Sequence, residues 1–174
     1  NKNGLALEGQ DLTTLAKEHL SVRTAIERLG RRHEPAVLWA LAETTPLKSG
    51  ARAAPAAATA LANEIVHQLP GGKQVATKYS ARFEHSDDGE RWEVIVESER
   101  HGQYRRTRLD SRFFDSSEYR AITALGEEMR RRVGEDPTVR RAGHEAQASN
   151  FAGALDWLLK EARHGLTIQR YKGL

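Results

Sequence analysis

The chain has 174 residues, 39% hydrophobic and 29% charged, with a formal net charge of +3 and no cysteine. That length can bury a real core as one domain or two small ones, and the composition is that of a globular protein. It excludes disulfides and thiolate metal sites, and the small net charge excludes a polyanion binder that uses its whole surface. Lack of cysteine fits a reducing compartment such as the cytoplasm. No apolar run approaches the ~20 residues of a membrane helix, and no signal or transit pattern stands at Asn1. Arginine outnumbers lysine 20 to 7. Arginine suits bidentate phosphate contacts, but a GC-rich genome gives the same skew, and the many alanines point that way too.

Leu5-Ala6-Leu7 opens the chain as a short apolar stretch of strand character. From Asp11, a candidate N-cap, apolar positions at Leu12, Leu15, Val22, Ile26 and Leu29 trace one helix face, with His19 in the gap and Gly30 at the C-cap. Pro35 stands where the first turn of a second helix belongs; that helix carries Val37, Leu38 and Leu41 and ends before Pro46. A third begins near Pro55, shows Ala58, Leu61, Ile65 and Leu69 on one face, and stops at Pro70-Gly71-Gly72. Residues 44–52 read as an exposed loop. These amphipathic stripes are what core packing produces.

Strict alternation follows. Val75, Thr77, Tyr79, Ala81 and Phe83 face one way, and Gln74, Lys78, Ser80, Arg82 and Glu84 the other. Ser86-Asp87-Asp88-Gly89 is a hairpin turn. A return strand carries Trp92, Val94 and Val96, and His101-Gly102 makes a second turn before a third strand, 104–109. Helix returns with Tyr119, Ile122, Leu125, Met129 and Val133, capped by Ser116 or Ser117. Residues 134–147 are polar and read as a linker or long loop. Ser149 or Asn150 caps a last helix bearing Phe151, Ala154, Leu155, Leu158, Leu159 and Ala162, and a short strand follows Gly165. The predicted class is α+β: N-terminal and C-terminal helices packed on a three- or four-stranded antiparallel β-meander. Its parts are a helical segment over about 9–70, the meander over about 73–110 and helices over about 116–164.

Motifs that carry chemistry do not emerge. The seven histidines contain no pair at the spacing that places two ligands on one helix face. There is no nucleophile elbow, no cysteine nucleophile and no glycine-rich phosphate cradle. Asp87-Asp88 is explained by its turn. Basic clusters remain: Arg105, Arg106 and Arg108 on the third strand, Arg130, Arg131 and Arg132 at a helix end, and Arg140 and Arg141 in the polar segment. They are candidate phosphate contacts if they converge on one surface. The competing account is a set of solvated faces with local ion pairs, since Glu97, Glu99, Glu127, Glu128, Glu135 and Asp136 are interspersed.

The final residues, from Leu155-Asp-Trp-Leu-Leu-Lys-Glu-Ala through Leu166-Thr-Ile-Gln-Arg-Tyr-Lys-Gly-Leu174, closely resemble a stretch of bacterial DNA gyrase B. In that family the motif continues as Gly-Glu-Met-Asn, so the chain reads as a segment of a larger protein. More loosely, Arg31-Arg32-His33-Glu34-Pro35, Glu118-Tyr119-Arg120 and Leu125-Gly126-Glu127 resemble the large insert within the TOPRIM domain of many Gram-negative gyrases. The resemblance implies an insert domain over 1–164 and a resumed TOPRIM strand over 165–174, with Arg170, Tyr171, Lys172 and Gly173 in the TOPRIM motif. It implies a parent that supercoils DNA using ATP and Mg²⁺, as a heterotetramer with gyrase A. The family's Glu-Gly-Asp and Asp-x-Asp metal motifs have no counterpart here, so no cofactor, metal ligand or catalytic residue is expected in this segment. The DNA-cleaving tyrosine of the family lies in gyrase A, so Tyr171 is not it. Lys172 is either a phosphate contact or a structural residue. A brace that couples DNA engagement to ATP turnover and an autonomous DNA-binding module are the two functional expectations.

Overall fold

A computed structural model describes residues 7–47, 55–69, 77–85, 92–133, 137–148 and 151–163. The chain divides into two compact units: Lys17–Glu128, and Asn1–Ala16 together with Met129–Leu174. The class is α+β, with six helices and two antiparallel sheets among the described residues.

In the larger unit, α1 (Gly9–Leu29) contributes Val22 and Ile26 to the core and buries His19. The helix starts three residues earlier than an Asp11 N-cap would place it, so Asp11 lies in its first turn rather than at the cap. Helix α2 (Pro35–Ala42) begins on its proline and buries Val37, Leu38, Ala40, Leu41 and Ala42. Helix α3 (Pro55–Gln68) buries the face carrying Ala58, Leu61 and Ile65 and packs on the first two strands of the meander.

That meander has the order β1 (Thr77–His85), β2 (Trp92–Arg100), β3 (Gln103–Asp110). His101 and Gly102 turn the second hairpin with φ of 51° and 75°. Two left-handed residues match the turn to the twist of the strands. The turn fixes the register, with Arg100 opposite Gln103, Glu97 opposite Arg106 and Ile95 opposite Arg108. One face, with Ala81, Val94, Val96, Thr107 and Leu109, is covered. Ile95 points the other way yet is fully buried, flanked in register by Arg82 and Arg108. Arginine stems cover apolar surface while their heads stay in water.

A single-turn helix, α4 (Ser111–Phe114), follows β3 at once; the sequence reading missed it. Asp110 caps it, its carboxylate accepting from the Phe113 amide at 2.9 Å. Phe113 and Phe114 then pack on Tyr119 of α5 (Ser117–Arg132). Ser116 is the residue whose hydroxyl accepts from the Tyr119 amide at the start of α5. Gly126 of α5 lies against α2 so closely that a Cβ there would overlap the Ala42 carbonyl.

The smaller unit corrects the linker expectation for 134–147. Thr138–Arg141 (β4) and His144–Gln147 (β5) form a hairpin, closed at its base by the Ala148 amide donating to the Pro137 carbonyl. Its turn residues, Ala142 and Gly143, both have positive φ, 49° and 83°. Ala-Gly lacks the Asn or Asp that signals this turn, and the strands carry one buried apolar residue, Val139, so no alternation was visible. Helix α6 (Phe151–Arg163) packs on β4 and buries Phe151, Ala154 and Leu155, while Leu159 is 37% exposed. The expected strands at 5–7 and 166–169, the 86–89 turn and the α6 caps at 149 and 150 lie, wholly or in part, outside the described residues. So do Arg170, Tyr171, Lys172 and Gly173.

Candidate nucleic-acid interface

The sheet's outer face carries twelve residues, and most are charged. Register places Lys78, Arg82, Arg106 and Arg108 beside Glu84, Glu93, Glu97, Glu99 and Asp110. Three of the four cations meet a carboxylate. Glu97 takes Arg106 at 2.7 Å and Arg82 at 2.8 Å, and Arg82 also reaches Glu84. Arg108 lies 3.7 Å from Glu93. Hydrogen bonds to Glu84 and Glu97 raise the pKa of Arg82, and bonds from Arg82 and Arg106 hold Glu97 below the usual carboxylate range. Two of the three strand arginines expected to contact phosphate therefore sit in a cross-strand ion-pair network. Arg105 points to the other face, opposite Ser98.

The remaining five candidates belong to the smaller unit. Arg130 and Arg131 are exposed at the end of α5, and Arg132 lies 3.6 Å from Asp11. Arg140 pairs with Glu145 across the β4–β5 hairpin, and Arg141 is exposed one residue on. That unit also holds a cleft of about 480 Å³ whose lining includes Leu12, Val133, Val139, Phe151 and both Arg132 and Arg140. The eight arginines are thus divided, three in one unit and five in the other.

Behind the sheet, Glu34 joins all three strands. Its carboxylate accepts from the Tyr79 hydroxyl at 3.0 Å and from Ser98 Oγ at 2.7 Å, and its amide donates to Thr107 Oγ1 at 3.0 Å. Glu34 occupies the N-cap position of α2 without capping it, because its side chain is committed to the sheet. Burial, together with the Glu34 bond, pushes the Tyr79 phenol up to about 12. Tyr119 plays a similar part: its hydroxyl accepts from the Leu47 amide at 2.9 Å, and burial raises its pKa. Glu118 reaches Arg28 of α1 at 2.9 Å. The sequence anchors 31–35, 118–120 and 125–127 are therefore places where helices are tied to one another or to the sheet.

No three His, Cys, Asp or Glu side chains gather into a metal-sized group among the described residues. His19 stacks on Trp39 at 5.3 Å, His33 tilts against Phe113 and His144 meets Glu161 at 3.0 Å. No described helix is long and apolar enough to cross a membrane.

Fold and surface together define an α+β domain in which helices back an antiparallel sheet whose open face is charged and largely self-paired. A family model described as the DNA gyrase B subunit insert domain matches residues 1–162. The chain belongs to that family, and so to a part of gyrase B, a component of a type II topoisomerase.

Proposed function

We propose that this domain braces the DNA-gate core of gyrase B and couples DNA engagement to ATP hydrolysis, with no catalysis of its own. The observation that carries this reading is the combination of family membership with a body knit at Glu34, Tyr119 and Gly126. A mechanical element needs such internal ties; it does not need a reactive group. In this reading ATP and Mg²⁺ act elsewhere in the parent enzyme, gyrase A completes the heterotetramer in the cytoplasm, and residues 165–174 re-enter the TOPRIM core. Deleting the insert from the intact enzyme is the test. DNA-stimulated ATPase and supercoiling should fall while ATPase without DNA persists; unchanged supercoiling and stimulation would contradict the coupling.

A second reading, direct contact with DNA, is favoured by the exposed arginines at 105, 106, 108, 130, 131, 140 and 141. Under it the chain binds duplex DNA with a steep salt dependence.

A further inference from the structure

Ion pairing on the sheet is uneven. Arg82, Arg106 and Arg108 are matched by glutamates, but at the end where β2 turns into β3 the pairing stops. Residues 100–106 are all exposed, and Tyr104 is 78% exposed, the most open of the large hydrophobic side chains among the described residues. Arg100 and Arg105 share one face and sit diagonally across the β2–β3 pair, about 7–8 Å apart. Lys78 and Tyr104 flank Glu99 on the other face. Among the described residues no carboxylate lies within ion-pair distance of Lys78, Arg100 or Arg105. Glu34, the acid behind this end, already accepts a hydrogen bond on each oxygen.

We propose that this hairpin tip, with Arg100 and Arg105 on one face of the sheet and Tyr104 and Lys78 on the other, contacts the phosphodiester backbone of DNA across its edge. The proposal rests on the second reading above and relocates its contact from Arg106 and Arg108 to the turn. Arg100 and Arg105, which face no acid in register, supply most of the charge, Lys78 faces Glu99 without an ion pair, and the Tyr104 hydroxyl can donate to a phosphate oxygen. The tight turn fixes the backbone positions of the arginines, so only their side chains are ordered on contact. A protein partner fits less well. Interface anchors sit inside an apolar patch, whereas the neighbours of Tyr104 in sequence and register are Gln103, Arg105 and Glu99.

The test is the salt dependence of binding of the whole chain to a short blunt DNA duplex, followed by fluorescence anisotropy. The wild-type chain should bind at ~50 mM salt, and Arg100→Ala with Arg105→Ala should weaken binding roughly tenfold per lost contact and flatten the log–log salt slope by about 2. Arg106→Gln with Arg108→Gln should change binding less than the tip pair does. All four positions are exposed, and unchanged melting temperatures would show that the variants fold. Tyr104→Phe separates the hydroxyl from the ring and should weaken binding less than Tyr104→Ala. If the tip variants bind like wild type while the Arg106/Arg108 pair loses affinity, the tip assignment is wrong but DNA contact stands. If the wild-type chain does not bind, both fail.

Discussion

The two faces of the three-stranded sheet are built on opposite principles. The covered face is held by groups with few substitutes: Glu34 bridges Tyr79 and Ser98 under the helices, and Val94, Val96 and Leu109 are at most 1% exposed. The open face is held by exposed ion pairs, with Arg106 and Arg108 side chains 51% and 59% exposed. Exposed pairs contribute little each, whereas a committed polar group in a half-buried site is costly to remove. The comparison teaches that abundant arginine on this surface is mostly electrostatic balance, and that stability resides behind it.

The sharpest way to break this contrast is from the covered side. Gly126→Ala drives a methyl into the Ala42 carbonyl and should destabilise the domain by about 3 kcal/mol, read from denaturant unfolding. Glu34→Ala comes next, at about 2 kcal/mol, because it strands the Tyr79 and Ser98 hydroxyls. On the open face, Arg106→Ala should cost about 0.5 kcal/mol and less at high salt. If Arg106→Ala proved as damaging as Glu34→Ala, the contrast would collapse.

A smaller effect is read by pH. The Tyr79 phenol is raised to about 12 from 10.0, so the folded state keeps a proton that the unfolded chain loses first. The stability linked to Tyr79 is therefore full below pH 10 and declines as pH rises toward 12. Tyr79→Phe should remove that decline and a step at about 12 in the phenolate absorbance titration; loss of a step in the ordinary phenol range instead would show that Tyr79 is not the shifted phenol.

Much of this was legible in the sequence. Pro35 and Pro55 marked two helix starts, and alternation from Thr77 to Phe83 and from Trp92 to Val96 marked two strands and their buried side. Local ion pairing of the arginines was one of the two accounts the sequence left open, but its partners were not assigned although their signal was present. A two-residue turn at His101-Gly102 forces Glu97 opposite Arg106 and Ile95 opposite Arg108. Counting the register outward from that turn reveals both the neutralised face and the unmatched Arg100 and Arg105. The β4–β5 hairpin was hidden for a different reason: four-residue strands with one buried side chain leave no periodicity to read. Helix α4 was too short for a periodic stripe and showed only its cap, Asp110. Glu34 resembled an ordinary residue before a proline, because its partners lie 45 to 73 positions away.

The bracing role is tested most directly by loosening the domain without touching its surface. Glu34→Ala removes the carboxylate and leaves the Tyr79 and Ser98 hydroxyls without their shared acceptor. In the intact gyrase complex, a brace so weakened should lose DNA-stimulated ATPase toward the level of the insert deletion, with ATPase in the absence of DNA unchanged. Full stimulation in a variant whose insert melts at a lower temperature than wild type would contradict the account.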